Sequence, residues 1–317
     1  MTQEKDMVQA ADTAQETDTA QETDTAQEVN AGQETNRTIF ITGASAGFGE
    51  AMCRTFAAAG FKVIGAARRI HKLETLQAEL GERFLPLEMD MTRAESIDHA
   101  LQNLPEGFAQ IDCLINNAGL ALGLARADEA DFADWQTMIQ TNITGLTYLT
   151  RQVVPQMVGR KSGYIINIGS IAGNYPYPGG NVYGATKAYV RQFSLNLRAD
   201  LAESGIRVSN IEPGLCGNTE FSNVRFKGDN ERAAKLYENV EFIRPQDIAD
   251  TALWLYQRPA HMNVNTIEIM PVAQSFGALP VYREAPPPAP EDGLAKTENG
   301  FEKQSVSLFQ QIKSWFK

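Results

Sequence analysis

Short apolar runs alternate with longer amphipathic segments from residue 37 to about residue 270, and no other feature limits the fold as much. The runs end near residues 42, 67, 89, 115, 168, 211 and 270, and the segments between them are long enough for helices. Strands that alternate with helices pair in parallel, because each crossover helix carries the chain back to the same edge of the sheet. The sequence therefore predicts an α/β fold in which a single doubly wound parallel sheet has helices on both faces.

A glycine-rich turn, GASAGFGE at residues 43–50, follows the first apolar run and leads into a helical pattern. Glycine allows the backbone to approach a phosphate closely, and the N-terminus of a helix favours negative charge. This strand, turn and helix are typical of a Rossmann-type dinucleotide site. The glycine spacing differs from G-x-G-x-x-G, so a tight turn without a ligand is the alternative. The residues expected at the cofactor are Gly43, Ser45, Ala46, Gly47, Phe48 and Gly49.

Two arginines follow the second apolar run, residues 61–67, at the place where dinucleotide-binding folds contact the adenine ribose. An acidic residue there binds the free 2′-hydroxyl, whereas an arginine accommodates a 2′-phosphate. Arg68 and Arg69 therefore predict NADP(H) rather than NAD, and a solvated pair that opens the next helix is the alternative. After the third run, we expect Asp90 to accept from the adenine amino group, with Met91 beside it at the cofactor.

The fourth apolar run ends in Asn116 and Asn117, followed by Ala118 and Gly119. Asparagine side chains turn the chain by bonding to nearby backbone groups. We therefore expect a structural role for at least one of the two, and contact with the cofactor from Asn117.

The sequence YGATK at residues 183–187 places Tyr183 and Lys187 four residues apart in a helical pattern, so both side chains lie on one face. An unperturbed tyrosine has a pKa near ~10, and a neighbouring cation lowers that pKa by favouring the phenolate. Tyr183 is therefore a candidate acid/base, and Ser170 at a strand end is a candidate hydrogen-bond partner of the substrate oxygen. Such pairs also occur by chance on helices, so the prediction depends on the motifs upstream.

The first 36 residues differ in composition from the rest of the chain. They repeat TAQETD, lack aromatic residues, and hold nine acidic residues and one lysine of a chain whose net charge is −11. Such a segment cannot bury enough apolar surface to offset its ordering entropy, so residues 1–36 are predicted to be a disordered acidic tail. The remainder is then nearly neutral and has no basic face, which argues against nucleic-acid binding.

Several expectations concern what the sequence lacks. It has neither a signal-peptide pattern nor an apolar span of about 18 residues, which predicts a soluble, cytoplasmic protein. The three cysteines, Cys53, Cys113 and Cys216, are scattered, as suits reduced thiols. No Cys/His cluster suggests a metal site.

A proline-rich stretch, APPPAP at residues 285–290, begins a linker and limits the predicted folded domain to residues 37–284. Beyond it, residues 305–317 place apolar side chains at helical spacing. This short amphipathic segment would either dock on its own domain or contact a partner or a membrane surface.

Five motifs occur together in one order: TGASAGFG at residues 42–49, NNAG at 116–119, Ser170, Y-x-x-x-K at 183–187, and Pro213-Gly214. Through these motifs, residues 37–284 resemble the short-chain dehydrogenase/reductases. The resemblance implies that Asn142 is a fourth catalytic residue, which helps to hold a water in a proton relay with Lys187. It also implies that Lys187 binds the nicotinamide ribose.

The same resemblance implies that residues 213–221 wrap the nicotinamide end of the cofactor, with contacts from Pro213, Gly214, Thr219 and Phe221. It further implies a homodimer or homotetramer packed through the long helices.

Within the family, GNVYGATKA at residues 180–188 and TEFSNVRFKGD at 219–229 are similar to the NADP-dependent 3-hydroxy acid dehydrogenases. Those enzymes also act as L-allo-threonine or serine dehydrogenases and as malonic semialdehyde reductases. The resemblance implies an oxidoreductase that interconverts a 3-hydroxy acid, of the L-allo-threonine, serine or 3-hydroxypropionate type, and its 3-oxo acid or semialdehyde.

A carboxylate substrate requires a cation, and Arg225 is the candidate. It lies in a long polar segment after the sixth predicted strand, where a closing lid is expected. A solvent-exposed arginine is the alternative. Two rival functions stay open: reduction of another carbonyl, such as a keto ester or a 3-oxoacyl intermediate, and a non-catalytic NADP-binding redox sensor.

Overall fold

A single seven-stranded sheet organises the computed structural model, which describes residues 36–277. Its strands are β1 Thr38–Thr42, β2 Lys62–Ala67, β3 Phe84–Glu88, β4 Cys113–Asn116, β5 Gly163–Ile168, β6 Ile206–Pro213 and β7 Thr266–Ile269. All neighbouring strands are parallel, in the spatial order β3-β2-β1-β4-β5-β6-β7. The predicted α/β fold, a Rossmann-type parallel sheet with helices on both faces, is confirmed.

Helices fill the connections between these strands. They are α1 Gly47–Ala58, α2 Ile70–Leu80, α3 Ala94–Gln102, α4 Phe132–Ile139, α5 Leu146–Arg160, α6 Asn181–Asp200, α7 Phe221–Arg225, α8 Asn230–Lys235 and α9 Pro245–Tyr256. No helix within residues 36–277 is long and apolar enough to cross a bilayer. The predicted acidic tail apart from Asn36, the proline-rich linker, the amphipathic segment and the domain limit at residue 284 lie outside the described residues.

Side chains of β1 alternate between two hydrophobic cores, one on each face of the sheet. Ile39 and Ile41 join the core formed with α1, α2 and α9, whereas Phe40 joins the core formed with α3 and α5. All three are fully buried, and burying such a side chain contributes about 1.5–3 kcal/mol. The two cores hold the central strands in place, and with them the loops at the carboxyl ends.

The strand order reverses between β1 and β4, because the chain runs outward from β1 to β3 and then returns to the other side of β1. In such sheets a crevice opens outside the carboxyl ends of the two strands at the reversal. The glycine-rich turn follows β1, and Asn117 follows β4. The topology therefore brings two of the predicted motifs to the same crevice.

A π-helical turn at Gln140–Gly145 joins α4 to α5. The helical pattern at residues 131–159 therefore corresponds to two α-helices joined by this turn. Gly145 allows the turn to lie against the loop after β3, since a Cβ atom there would be 2.0 Å from the carbonyl oxygen of Met91. Such turns frequently occur at functional sites, and this one carries Asn142.

The long polar segment after β6 contains two short helices, α7 and α8. We call residues 215–240 the lid segment. The residue before it, Gly214, is tied to β7, because Gly214 N donates to Ile269 O at 2.7 Å. Cys216 in this segment is a free thiol, and so are Cys53 and Cys113 elsewhere in the fold.

Candidate active site

Helix α6 carries Tyr183 and Lys187 on one face, as the sequence predicts. Tyr183 is 8% exposed and Lys187 is 7% exposed. The Lys187 ammonium donates to the carbonyl oxygen of Ile168, at the end of β5, at 2.7 Å. Its Nζ lies 5.9 Å from the centre of the Tyr183 ring, so the two groups are neighbours without a direct hydrogen bond.

Ser170 follows β5 and begins a short 3₁₀ turn, Ile171–Gly173. Its hydroxyl accepts from the Ala172 N–H at 3.1 Å and donates to the Pro213 carbonyl at 3.4 Å. The Ser170 side chain also lies close enough to Tyr183 to oppose the rise in the pKa of the phenol. The predicted serine and tyrosine therefore converge, and an oxygen atom placed beside both hydroxyls could receive hydrogen bonds from both.

Burial dominates the protonation of the pair on α6. It raises the pKa of Tyr183 above the usual value of 10, although the nearby Ser170 hydroxyl and the charge of Arg225 oppose this. It lowers the pKa of Lys187 from 10.5 to about 8. The expected lowering of the phenol pKa by Lys187 is therefore not seen in this state, since the phenol is desolvated and the ammonium is bound to a carbonyl.

Asn142 lies in the π-helical turn and is 1% exposed. Its side chain bonds both backbone groups of Leu120, accepting from N at 2.9 Å and donating to O at 2.8 Å. It also donates to Thr186 Oγ1 on α6 at 3.1 Å. A Cβ atom on Gly119 would lie 3.3 Å from Asn142 Oδ1 and 3.5 Å from Lys187 Nζ, so both polar atoms flank this glycine.

The glycine-rich turn is tightly packed. A Cβ atom on Gly49 would lie 2.2 Å from the carbonyl oxygen of Gly43, and Gly47 has a φ of +58°. Ala46 precedes α1 in extended conformation and supplies no side-chain cap. The N–H groups that open α1 are therefore available to an anion, and these residues fit the pyrophosphate of a dinucleotide.

Neither asparagine of the NNAG motif presents its amide nitrogen to the crevice. Asn117 Nδ2 donates to the carbonyl oxygens of Thr42 and Gly43, at 2.7 and 3.4 Å. Asn116 Nδ2 donates to Thr150 and Asn167 at 2.9 and 2.8 Å. Both amides hold the loop and sheet together, and the contact of Asn117 with the cofactor stays a prediction.

The predicted 2′-phosphate site gathers several charged and polar groups. Arg69 Nε and Nη2 donate to Ser45 Oγ at 3.2 and 2.9 Å, and Arg69 Nη1 lies 2.8 Å from Glu220 Oε2. Lys72 Nζ lies 2.7 Å from the other oxygen of Glu220. Arg68 is exposed. The arginine and the serine fit a phosphate, and the lysine adds a second cation.

Asp90 and Met91 lie in the loop after β3. One carboxylate oxygen of Asp90 accepts from the N–H and hydroxyl of Thr92, at 2.9 and 2.8 Å. Met91 is 7% exposed and belongs to the core on the α3 side of the sheet. Their contacts with an adenine ring stay predictions.

The lid segment covers the crevice in this structure. A Cβ atom on Gly47 would lie 3.2 Å from Thr219 Cγ2, so Thr219 packs over the glycine-rich turn. The Phe221 ring lies 5.7 Å from the ring of Tyr183. Arg225 lies over the same ring, with its Cζ 5.5 Å from the ring centre.

Arg225 is anchored to the opposite wall of the crevice. Its Nη2 donates to the Tyr177 hydroxyl at 2.7 Å, and its Nε donates to the Gly123 carbonyl at 3.3 Å. Its own carbonyl accepts from the Gly123 N–H at 2.9 Å. The predicted alternative, a solvated arginine, does not describe this half-buried and bonded side chain.

Sequence reasoning missed Lys72 and Glu220. Arg69 is the N-cap residue of α2, and Lys72 lies three residues later in the first turn, so its closeness to Arg69 in the sequence could have indicated it. Glu220 lies 148 residues away from Lys72 in the sequence, so no local pattern relates the two. Among residues 36–277, no cluster of His, Cys, Asp and Glu suited to a metal ion occurs.

Three comparisons bear on this site. Residues 37–230 match the family model described as short chain dehydrogenase. A probable NADP-dependent dehydrogenase of Haemophilus influenzae is 59% identical over 247 residues, which are 78% of this chain and 98% of that protein. The NADP-dependent 3-hydroxy acid dehydrogenase YdfG of Salmonella typhi is 55% identical over 245 residues, 77% of this chain and 99% of that protein. A solved structure, the closed form of serine dehydrogenase complexed with NADP+, matches with a TM-score of 0.77 at 52% identity, over 78% of this chain and 100% of that chain.

Proposed function

The chain belongs to the short-chain dehydrogenase family, and on this premise we propose that it is an NADP-dependent oxidoreductase for 3-hydroxy acids. It interconverts such an acid with the corresponding 3-oxo acid or semialdehyde. The names of its relatives support this substrate class. The observation that carries the proposal is the position of Arg225 against Tyr183, because it places a cation for a carboxylate beside the acid/base.

The cofactor would lie across the carboxyl ends of β1 and β2. The N–H groups that open α1 would bind its pyrophosphate, and Arg69 with Ser45 would bind its 2′-phosphate. When bound, NADPH supplies the hydride that reduces the carbonyl carbon, and NADP+ accepts it in the reverse reaction. Its nicotinamide end would lie under the segment from Pro213 to Phe221.

Tyr183 would donate its proton to the substrate oxygen in reduction and take it back in oxidation. Ser170 would donate a second hydrogen bond to that oxygen in place of its bond to the Pro213 carbonyl. Lys187 supports the tyrosine because its buried ammonium has a pKa of about 8. It is charged at neutral pH but releases a proton more easily than an exposed lysine, which suits a relay that includes Asn142.

Arg225 would bind the substrate carboxylate. A guanidinium has five N–H donors, and its bonds to Tyr177 and Gly123 fix its plane while using two of them. The remaining donors would form charge-assisted hydrogen bonds, each worth about 1.5–3 kcal/mol. A substrate whose carboxylate binds there would have its C3 hydroxyl, two carbons from the carboxylate carbon, within reach of Tyr183.

The absorbance of NADPH tests the reaction. We expect the protein to reduce malonic semialdehyde with NADPH and to oxidise serine, L-allo-threonine or 3-hydroxypropionate with NADP rather than NAD. Tyr183→Phe should lower kcat by about 10²–10⁴-fold. Tyr189→Phe, on the same helix and bonded to Thr147, is the matched control and should keep its activity. Binding of NADPH without turnover of any acid would refute the substrate class but not the fold.

A second pair of variants tests the carboxylate site. Arg225→Gln should raise KM for 3-hydroxy acids by about 10–100-fold, with a much smaller effect on their neutral methyl esters. Arg232→Gln, which changes a lid arginine stacked on Phe226, is the control. Equal effects of Arg225→Gln on acids and esters would exclude a carboxylate role.

A further inference from the structure

Glu220 lies between the two cations at the proposed 2′-phosphate site. Its carboxylate oxygens are 2.8 Å from Arg69 Nη1 and 2.7 Å from Lys72 Nζ. Lys72 contributes most to lowering the pKa of Glu220, followed by Arg69, so the carboxylate is ionised at neutral pH. An anion supplied by the chain itself therefore neutralises the cations that would receive the phosphate.

These ion pairs are accessible to a ligand. The side chains of Arg69, Lys72 and Glu220 are 41%, 39% and 44% exposed. Exposed pairs of this kind contribute little net energy, since water screens them and ordering the side chains costs entropy. A phosphate dianion beside the same guanidinium would repel the carboxylate and would form the stronger charge-assisted hydrogen bonds. Glu220 is therefore a partner that the phosphate can displace.

Residues on both sides of Glu220 pack against the proposed site. Glu220 directly precedes α7, whose first residue, Phe221, packs on Tyr183 and whose last residue is Arg225. Thr219, on its other side, packs over Gly47. The packing of these neighbours therefore positions Glu220 beside Arg69 and Lys72, so its carboxylate does not depend on the ion pairs to stay there.

We propose that Glu220 is an internal competitor of the cofactor 2′-phosphate, because it occupies Arg69 and Lys72 until the phosphate takes these two cations. The inference rests on the proposed function. It makes Glu220 a positioning residue that acts through Arg69 and Lys72. NAD, without this phosphate, would leave Glu220 in place.

Calorimetric binding of 2′,5′-ADP and 5′-ADP tests the competition without turnover. Glu220→Gln should tighten 2′,5′-ADP binding about threefold to tenfold, as expected for the loss of two exposed ion pairs, and leave 5′-ADP unchanged. Glu231→Gln, which removes the same charge from a lid residue paired with Lys235, should change neither. Weaker or unchanged binding of 2′,5′-ADP by Glu220→Gln would overturn the proposal.

If the unaltered protein does not prefer 2′,5′-ADP to 5′-ADP, the proposed cofactor fails first. If it shows the preference but Glu220→Gln does not tighten binding, only the competition fails.

Discussion

Lys187→Met should stabilise the protein while it removes activity. The Lys187 ammonium is buried and has one hydrogen-bond partner, the Ile168 carbonyl. A pKa of about 8 in place of 10.5, at about 1.4 kcal/mol for each pH unit, means that the buried charge costs about 3 kcal/mol at neutral pH. Methionine removes this cost but leaves the carbonyl without its partner, a loss of about 1 kcal/mol.

The net gain in the free energy of unfolding is about 2 kcal/mol at pH 6.5, which corresponds to a rise in Tm of about 4–8 °C for a domain of this size. The sign of the pH dependence follows from the lowered pKa. Between pH 8 and 10.5 the unfolded chain binds more protons at Lys187 than the folded chain, so the stability of the unaltered protein rises with pH. At pH 9.5 the remaining cost is about 1.4 kcal/mol, and the advantage of Lys187→Met nearly disappears.

Urea unfolding of both proteins at pH 6.5 and pH 9.5 gives the two differences. Lys62→Met is the matched control, because Lys62 also donates to one carbonyl, that of Gly107 at 3.0 Å, but from an exposed position. This control separates the loss of a hydrogen bond to a carbonyl from the effect of burying the charge. The reasoning is refuted if Lys187→Met is less stable than the unaltered protein at pH 6.5, or if the difference does not shrink by pH 9.5.

Two further variants probe packing. Gly49→Ala should lower the free energy of unfolding by about 1–3 kcal/mol, because its Cβ would lie 2.2 Å from Gly43 O. Gly159→Ala, whose Cβ would have nothing within 4 Å, should raise the free energy of unfolding by about 0.5–1 kcal/mol. Equal effects of the two changes in denaturant unfolding would contradict this. Arg207 donates to carbonyls at the end of α9 and lies 4.0 Å from the Tyr164 ring centre. Arg207→Met should therefore cost about 2 kcal/mol, and a cost below about 0.5 kcal/mol would show that these bonds are not needed.

The fold could be predicted because its signals are local. Each strand is a short apolar run, and alternation with helices leaves few topologies open. The π-helical turn could not be predicted in this way, because the apolar pattern at residues 131–159 is compatible with a continuous helix. The turn depends on contact between Gly145 and the Met91 carbonyl, two positions on different elements of the fold.

The candidate site could also be predicted only in part. Tyr183, Lys187 and Ser170 could be brought together from the sequence because parallel strands place their carboxyl ends at one edge. The protonation of Tyr183 could not be derived, since it depends on burial under Phe221 and Arg225. The ion pairs of Glu220 depend on how the lid segment folds back across the sheet, which no periodicity in the sequence reports.

The π-helical turn also sets the rotational phase of everything that follows it. An α-helix advances about 100° per residue, so one residue accommodated in a wider turn rotates α5 relative to α4 by about that angle. This rotation lets α4 pack against α6 while α5 packs against β4 and β5. Deleting a single residue from this turn would rotate α5 about its axis. The buried side chains of Leu149, Val153 and Met157 would then face away from the sheet. The position of Asn142 and the attachment of a whole helix to the core are thus fixed by the same irregular turn.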